Sequence, residues 1–142
     1  MKKIIMIFIL LFPACNGFLH NKKVIMPELL IARKFVQNRD KVRAALFYGK
    51  VLEKNPNSIE SVKFLYKFYL ENKYYKRAFA MLLKGAELDK SGYFWHIEMA
   101  EMLIQNREIE EGCNEISVAV NLIQKQNVDV VTKIEKLKEV CH

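Results

Sequence analysis

The sequence predicts an all-α fold, a short solenoid of stacked helical hairpins. Three observations predict it. Glycine and proline are scarce, 5 and 3 in 142 residues, while Lys, Glu, Leu, Ile and Ala dominate, a mixture that favours helix over sheet. Apolar residues recur at i, i+3, i+4 and i+7, the period of an amphipathic helix. A 34-residue repeat also runs through the chain without gaps. With 51% hydrophobic and 27% charged residues, the chain has the composition of a folded domain and not of a disordered one.

Residues 1–14 read as a targeting segment. Lys2 and Lys3 form a positive n-region, and Ile4 to Leu11 form an uncharged h-region. That run is too short for a spanning helix, which needs roughly 20 apolar residues. The "LFPAC" that follows resembles a bacterial lipobox, although Phe12 and Pro13 depart from its usual leucine and small residue. The resemblance implies cleavage before Cys15 and acylation of its sulfur, palmitate included. Residues 15–24 would then be the lipidated cysteine and a tether. Two or more acyl chains hold a protein stably at a bilayer where one binds only marginally. The alternatives are a soluble exported protein cut by ordinary signal peptidase, and a cytosolic chain that buries the run as a core helix. No A-x-A site lies nearby to support ordinary cleavage. Asn16 is not the aspartate that marks inner-membrane retention in enteric lipoproteins. The expected location is therefore the bacterial envelope, at the outer membrane and facing the periplasm.

Residues 25–126 divide into three units, 25–58, 59–92 and 93–126. "IARKFVQNRDKVRAALFYGKVLEKNPN", "LYKFYLENKYYKRAFAMLLKGAELDKS" and "MAEMLIQNREIEEGCNEISVAVNLIQK" align in one register. Ala32, Tyr66 and Ala100 correspond, as do Phe35, Tyr69 and Leu103. In the second half of each unit Ala44, Ala78 and Gly112 correspond, then Tyr48, Leu82 and Ile116, then Val51, Gly85 and Ala119. Polar breaks such as "QNRD", "ENK" and "NPNS" separate two helical runs per unit. Small residues recur where helices must approach closely. A single hairpin cannot bury its apolar face alone, so neighbours must stack. Residues 127–142 supply a capping helix, with Val128, Val131, Ile134, Leu137 and Val140 along one stripe.

These units resemble the tetratricopeptide repeat family, with "AALFYGKVLEKNPN" and "RAFAMLLKGAELDK" as its second helices. The family's tryptophan and turn glycine are missing from the first helices, and Lys90 and Gln124 replace its final proline. The resemblance implies a concave groove lined by first helices that receives a peptide. It places Leu29, Arg33 and Val36 there from the first unit, and Lys63, Lys67 and Leu70 from the second. Phe94, Ile97, Glu101 and Ile104 follow from the third. Leu29 and Arg33 occupy two places of the family's clamp for chaperone C-terminal carboxylates, so that clamp is not reproduced. Lipoproteins of this build act as pilotins or assembly factors for type IV pili, secretion systems or outer-membrane proteins. The expected partner is thus a protein or peptide, with no nucleic acid and no small-molecule substrate.

Charge is graded along the chain. The net is +6 over residues 18–58, +3 over 59–90 and −4 from 91 onward. Solvated helix faces account for this, or Lys22, Lys23, Arg33 and Lys34 lie against anionic headgroups. No recognisable nucleic-acid module carries the basic residues. Catalysis has no motif to rest on: no nucleophile elbow, phosphate loop, CxxC or HExxH is present. No enzyme activity, catalytic residue, cofactor or metal is expected. Glu108, Glu110, Glu111 and Glu115 read as a solvated acidic face, and His96 beside Trp95 as a packing residue. Cys113 should begin a second helix, and Cys141 should end the antiparallel capping helix. Their juxtaposition predicts a disulfide, with two buried thiols as the alternative.

Overall fold

The computed structural model describes residues 26–123 and 128–141, and among them every regular element is helical. Six helices form three hairpins: α1 (Pro27–Gln37) with α2 (Lys41–Lys54), α3 (Ile59–Glu71) with α4 (Tyr75–Leu88), and α5 (Tyr93–Gln105) with α6 (Ile109–Leu122). A seventh, α7 (Val128–Lys138), follows and ends in a single 3-10 turn, Glu139–Cys141. The fold is the predicted all-α solenoid of hairpins. No described helix is long and apolar enough to cross a membrane. The expectations for the targeting segment, Cys15 and the tether fall on residues 1–24, outside the described residues.

The turn inside each hairpin is the same turn three times. Asn38, Asn72 and Asn106 end the first helices, and Arg39, Lys73 and Arg107 follow with φ of 59°, 61° and 68°. The next residue in each case turns its N–H back to the helix: Asp40 to the Phe35 carbonyl, Tyr74 to that of Tyr69, and Glu108 to that of Leu103, at 2.8–2.9 Å. This six-to-one bond, with the left-handed residue before it, satisfies carbonyls the helix end would leave orphaned. Glycine usually takes the left-handed position, since a Cβ there costs about 1–2 kcal/mol. The second helices then start differently. Asp40 caps α2 by accepting from the Arg43 N–H at 3.0 Å, whereas Tyr74 and Glu108 give α4 and α6 no side-chain cap.

Three apolar clusters run along the stack. Ala32, Ala44, Ala45, Tyr48 and Leu65 join the first hairpin to α3. Val62, Tyr66, Ala78, Leu82, Trp95 and Met99 join the second to α5. Ile97, Ala100, Ile116, Ala119 and Ile134 join the third to α7. The small residues at repeat positions mark close approaches. A Cβ on Gly85 would sit 2.3 Å from Trp95 Cε3, so glycine is what lets the indole lie against α4.

The last helix covers the final apolar surface with part of the predicted stripe, Ile134 and Leu137, and not with the rest. Ile134 is buried and Val130, Leu137 and Cys141 pack beside it, while Val131 and Val140 are exposed. Residues 130, 134, 137 and 141 also fall on one helical face, so periodicity alone allowed two overlapping stripes. Cys113 Sγ and Cys141 Sγ are bonded at 2.03 Å, tying the start of α6 to the 3-10 turn.

Candidate functional site

The first helices of the hairpins, α1, α3 and α5, lie side by side, and their side chains reach across to one another. Arg33 on α1 makes a two-pronged ion pair with Glu60 on α3, at 2.8 and 2.5 Å. Lys63 on α3 holds its Nζ over the Phe94 ring of α5, 4.8 Å from the centroid. Lys133 on α7 reaches back to Glu98 and Glu101 of α5, at 2.8 Å each. These contacts run along the face that the predicted groove occupies.

Two tyrosines anchor the floor. Tyr48 donates to Glu60 Oε1 at 3.0 Å and stacks on Phe64 with ring centroids 4.4 Å apart. The Arg33 hydrogen bond holds the Glu60 carboxyl below its ordinary range against the opposing effect of burial, and the Tyr48 hydroxyl adds to it. Burial, then the bond to Glu60, pushes the Tyr48 phenol up to about 12. Tyr66, one repeat step from Ala32, donates to Glu98, and burial followed by that bond raises its phenol as well. Burial opposes the charge on Lys133, yet hydrogen bonds to Glu101 and Glu98 outweigh it and raise its pKa.

The ten predicted groove residues divide into three groups. Lys63, Lys67 and Val36 are exposed, and Leu70 and Phe94 are half-buried. Lys67 has no ion-pair partner among the described residues. Arg33 and Glu101 are exposed or partly so, but each is engaged, with Glu60 and Lys133 respectively. Leu29 packs against the first cluster. Ile97 is a correction. It is 4% exposed beneath α7, and Ile104 packs into the same cluster, where a Cβ on Gly112 would meet its Cγ1 at 2.7 Å. Positions 29, 63 and 97 are equivalent, and each points forward to the next layer. In the last repeat that layer is α7, so the position stacks and does not line a groove.

What remains open is a basic and aromatic hollow of about 240 Å³ lined by Tyr48, Glu60, Lys63, Phe64 and Lys67. Tyr48 and Phe64 were missing from the sequence-based set. Tyr48 did carry a signal, as a residue with a polar tip at a repeat position that is otherwise Leu82 and Ile116. Outside this face His96 is half-buried with Nδ1 2.7 Å from Glu115 Oε2, which takes Glu115 out of the solvated acidic set. Glu108, Glu110 and Glu111 are exposed.

No protein-family profile matches the chain, and no curated protein matches it. Solved structures do. The Yersinia enterocolitica type III secretion chaperone SycD, in complex with a peptide of the translocator YopD, superposes with a TM-score of 0.69 at 16% identity, covering 80% of this chain and 89% of that one. The first tetratricopeptide domain of Spaghetti (RPAP3), bound to the HSP90 peptide SRMEEVD, gives 0.64 at 13% identity over 80% and 90%. The second such domain of human RPAP3, with the HSP70 peptide SGPTIEEVD, gives 0.62 at 17% identity over 78% and 92%. The likeness is one of fold: the chain has a tetratricopeptide-like architecture.

Proposed function

We propose that this protein is a lipid-anchored scaffold of the bacterial envelope whose first-helix face binds a segment of a protein partner. The observation that carries the binding half is the hollow formed along α3 with Tyr48 of α2. There Lys63 and Lys67 stand exposed beside Phe64 and Phe94, in a fold whose structural neighbours hold peptides. Such a surface suits an extended or helical segment with a carboxylate near an apolar side chain. The ion pair with Arg33 and the hydrogen bond from Tyr48 hold Glu60 at the hollow's edge. The anchoring half rests on the lipobox-like "LFPAC" and on Cys15, and the assembly of a pilus, secretion or outer-membrane complex rests on resemblance to lipoproteins of similar build. A soluble exported binding protein is the second reading, favoured by Phe12 and Pro13 in the lipobox.

Two experiments separate these. Labelled palmitate should enter the protein and fail to enter a Cys15→Ala variant; equal labelling of both overturns the anchor. A partner co-purifying with the tagged protein should be lost from the Lys63→Glu, Lys67→Glu double variant. Equal recovery with both proteins overturns the groove.

A further inference from the structure

A second cleft lies away from that face, at the edge where the hairpin turns sit. It encloses about 1120 Å³ between the α3–α4 turn and the end of α5 with its own turn into α6. The equivalent place between the first two hairpins is bridged. There Lys41 at the start of α2 bonds Glu71 at the end of α3, 2.7 Å apart. Tyr69 fills the space behind, edge-on to Phe68 and Tyr74 at 5.8 and 6.4 Å. One repeat later Tyr75 and Gln105 replace the ion pair, and Leu103 replaces Tyr69. The bridge and the ring are both lost, and the gap stays open.

Its lining has a definite chemistry. Phe79, Met102 and Leu103 make a half-buried apolar floor. Tyr74 and Tyr75 stand over it, each 54% exposed. Lys73, Lys76 and Arg77 rim it against a single carboxylate, Glu108, which is already bonded to Asn106. Arg77 is held over the Tyr69 and Tyr74 rings at 5.8 Å, while Lys73 and Lys76 have no ion-pair partner among the described residues. Cations at the rim and aromatic faces over an apolar floor are complementary to carboxylates flanking a large apolar side chain.

We propose that this turn-edge cleft is a second docking site, for an acidic peptide segment that inserts an aromatic or branched aliphatic residue between Tyr75 and the Phe79–Leu103 floor. A flat anionic membrane would meet the lysines but could not reach a recessed floor. The volume exceeds that of a drug-sized pocket and accommodates several residues. The site stands independently of the first-helix groove.

The test uses the protein as purified from its own cells with the disulfide intact. The probe is fluorescein-labelled Glu-Glu-Phe-Glu-Leu-Glu-Glu, read by anisotropy, with one version carrying Lys for every Glu and another carrying Ser for Phe and Leu. Saturable binding of the first peptide should weaken about tenfold or more in Lys76→Glu and in Tyr75→Ser. Because the first-helix hollow has similar chemistry, the measurement is repeated in the Lys63→Glu, Lys67→Glu background, where saturable binding should persist and still weaken about tenfold or more on adding Lys76→Glu or Tyr75→Ser. Lys76→Glu keeps the fold, since an acid in the first turn of α4 is favoured by the helix dipole. The proposal is overturned by absent binding, by equal binding of the Lys or Ser peptide, or by loss only in the groove variant. Lys76-dependent sedimentation with phosphatidylglycerol vesicles in the absence of peptide binding overturns it in favour of a lipid surface.

Discussion

The junction between the first two hairpins and the junction between the second and third share one backbone register but are held by different means. The first adds to its buried cluster of Ala32, Ala44, Tyr48 and Leu65 a set of polar contacts nearer the surface: Arg33 and Tyr48 on Glu60, and Lys41 on Glu71. The second is fastened by Trp95, 2% exposed, lying against the bare backbone of Gly85 in a cluster with Val62, Tyr66 and Leu82. The turns and the repeat length dictate where the helices go. The residues at equivalent positions decide what is added to the apolar cluster that each junction buries: ion pairs at the first, an indole against a glycine at the second. The same positions carry an ion pair and a ring at the first junction and neither at the second, where the cleft lies.

If that contrast is right, breaking the second junction costs most. Trp95→Ala should destabilise by about 3–5 kcal/mol, read by thermal or urea unfolding, because a buried indole leaves a cavity no neighbour can fill. Removing the covalent tie at the capped end comes next. A Cys113→Ser, Cys141→Ser protein should lose about 2–4 kcal/mol for a loop of sequence separation 28. Limited proteolysis should then cut α7 before any hairpin. At the first junction Lys41→Ala should cost no more than about 0.5 kcal/mol, since both partners are more than half exposed. A loss above that would remove the contrast.

Two smaller effects sharpen it. Arg39→Gly should stabilise by about 0.5 kcal/mol, the left-handed penalty of about 1–2 kcal/mol being partly offset by the freedom glycine gains when unfolded. Glu60 gives the first junction a pH dependence. Its folded pKa lies below the ordinary value of 4.5, so its contribution is present above that pH and fades as pH falls through the lowered value. Glu60→Gln should flatten the acid limb of a stability–pH curve. An unchanged limb would mean that the Arg33 pair adds nothing.

Much of this architecture was legible before any coordinates. The register of Ala32, Tyr66 and Ala100 placed the helices, and the expected meeting of the two helix ends that carry Cys113 and Cys141 favoured the disulfide over two buried thiols. Two things were not legible. The face of α7 was ambiguous because apolar residues at 130, 131, 134, 137, 140 and 141 fit two stripes, and packing on α5 and α6 with the tie to Cys113 chose between them. The groove was misread at Ile97 because a position that faces a neighbouring repeat in the middle of a stack faces the cap at its end. Tyr48 went unnoticed because its ring behaves as core while its hydroxyl serves the surface.

The most direct test of the account is photocrosslinking in living cells from a benzophenone amino acid placed at Lys67, against the same probe at Ala80, an exposed residue of α4. The account predicts a discrete protein adduct from position 67 that disappears when Lys63→Glu is added, and none from position 80. The same adduct from both positions, or none from position 67, would contradict it.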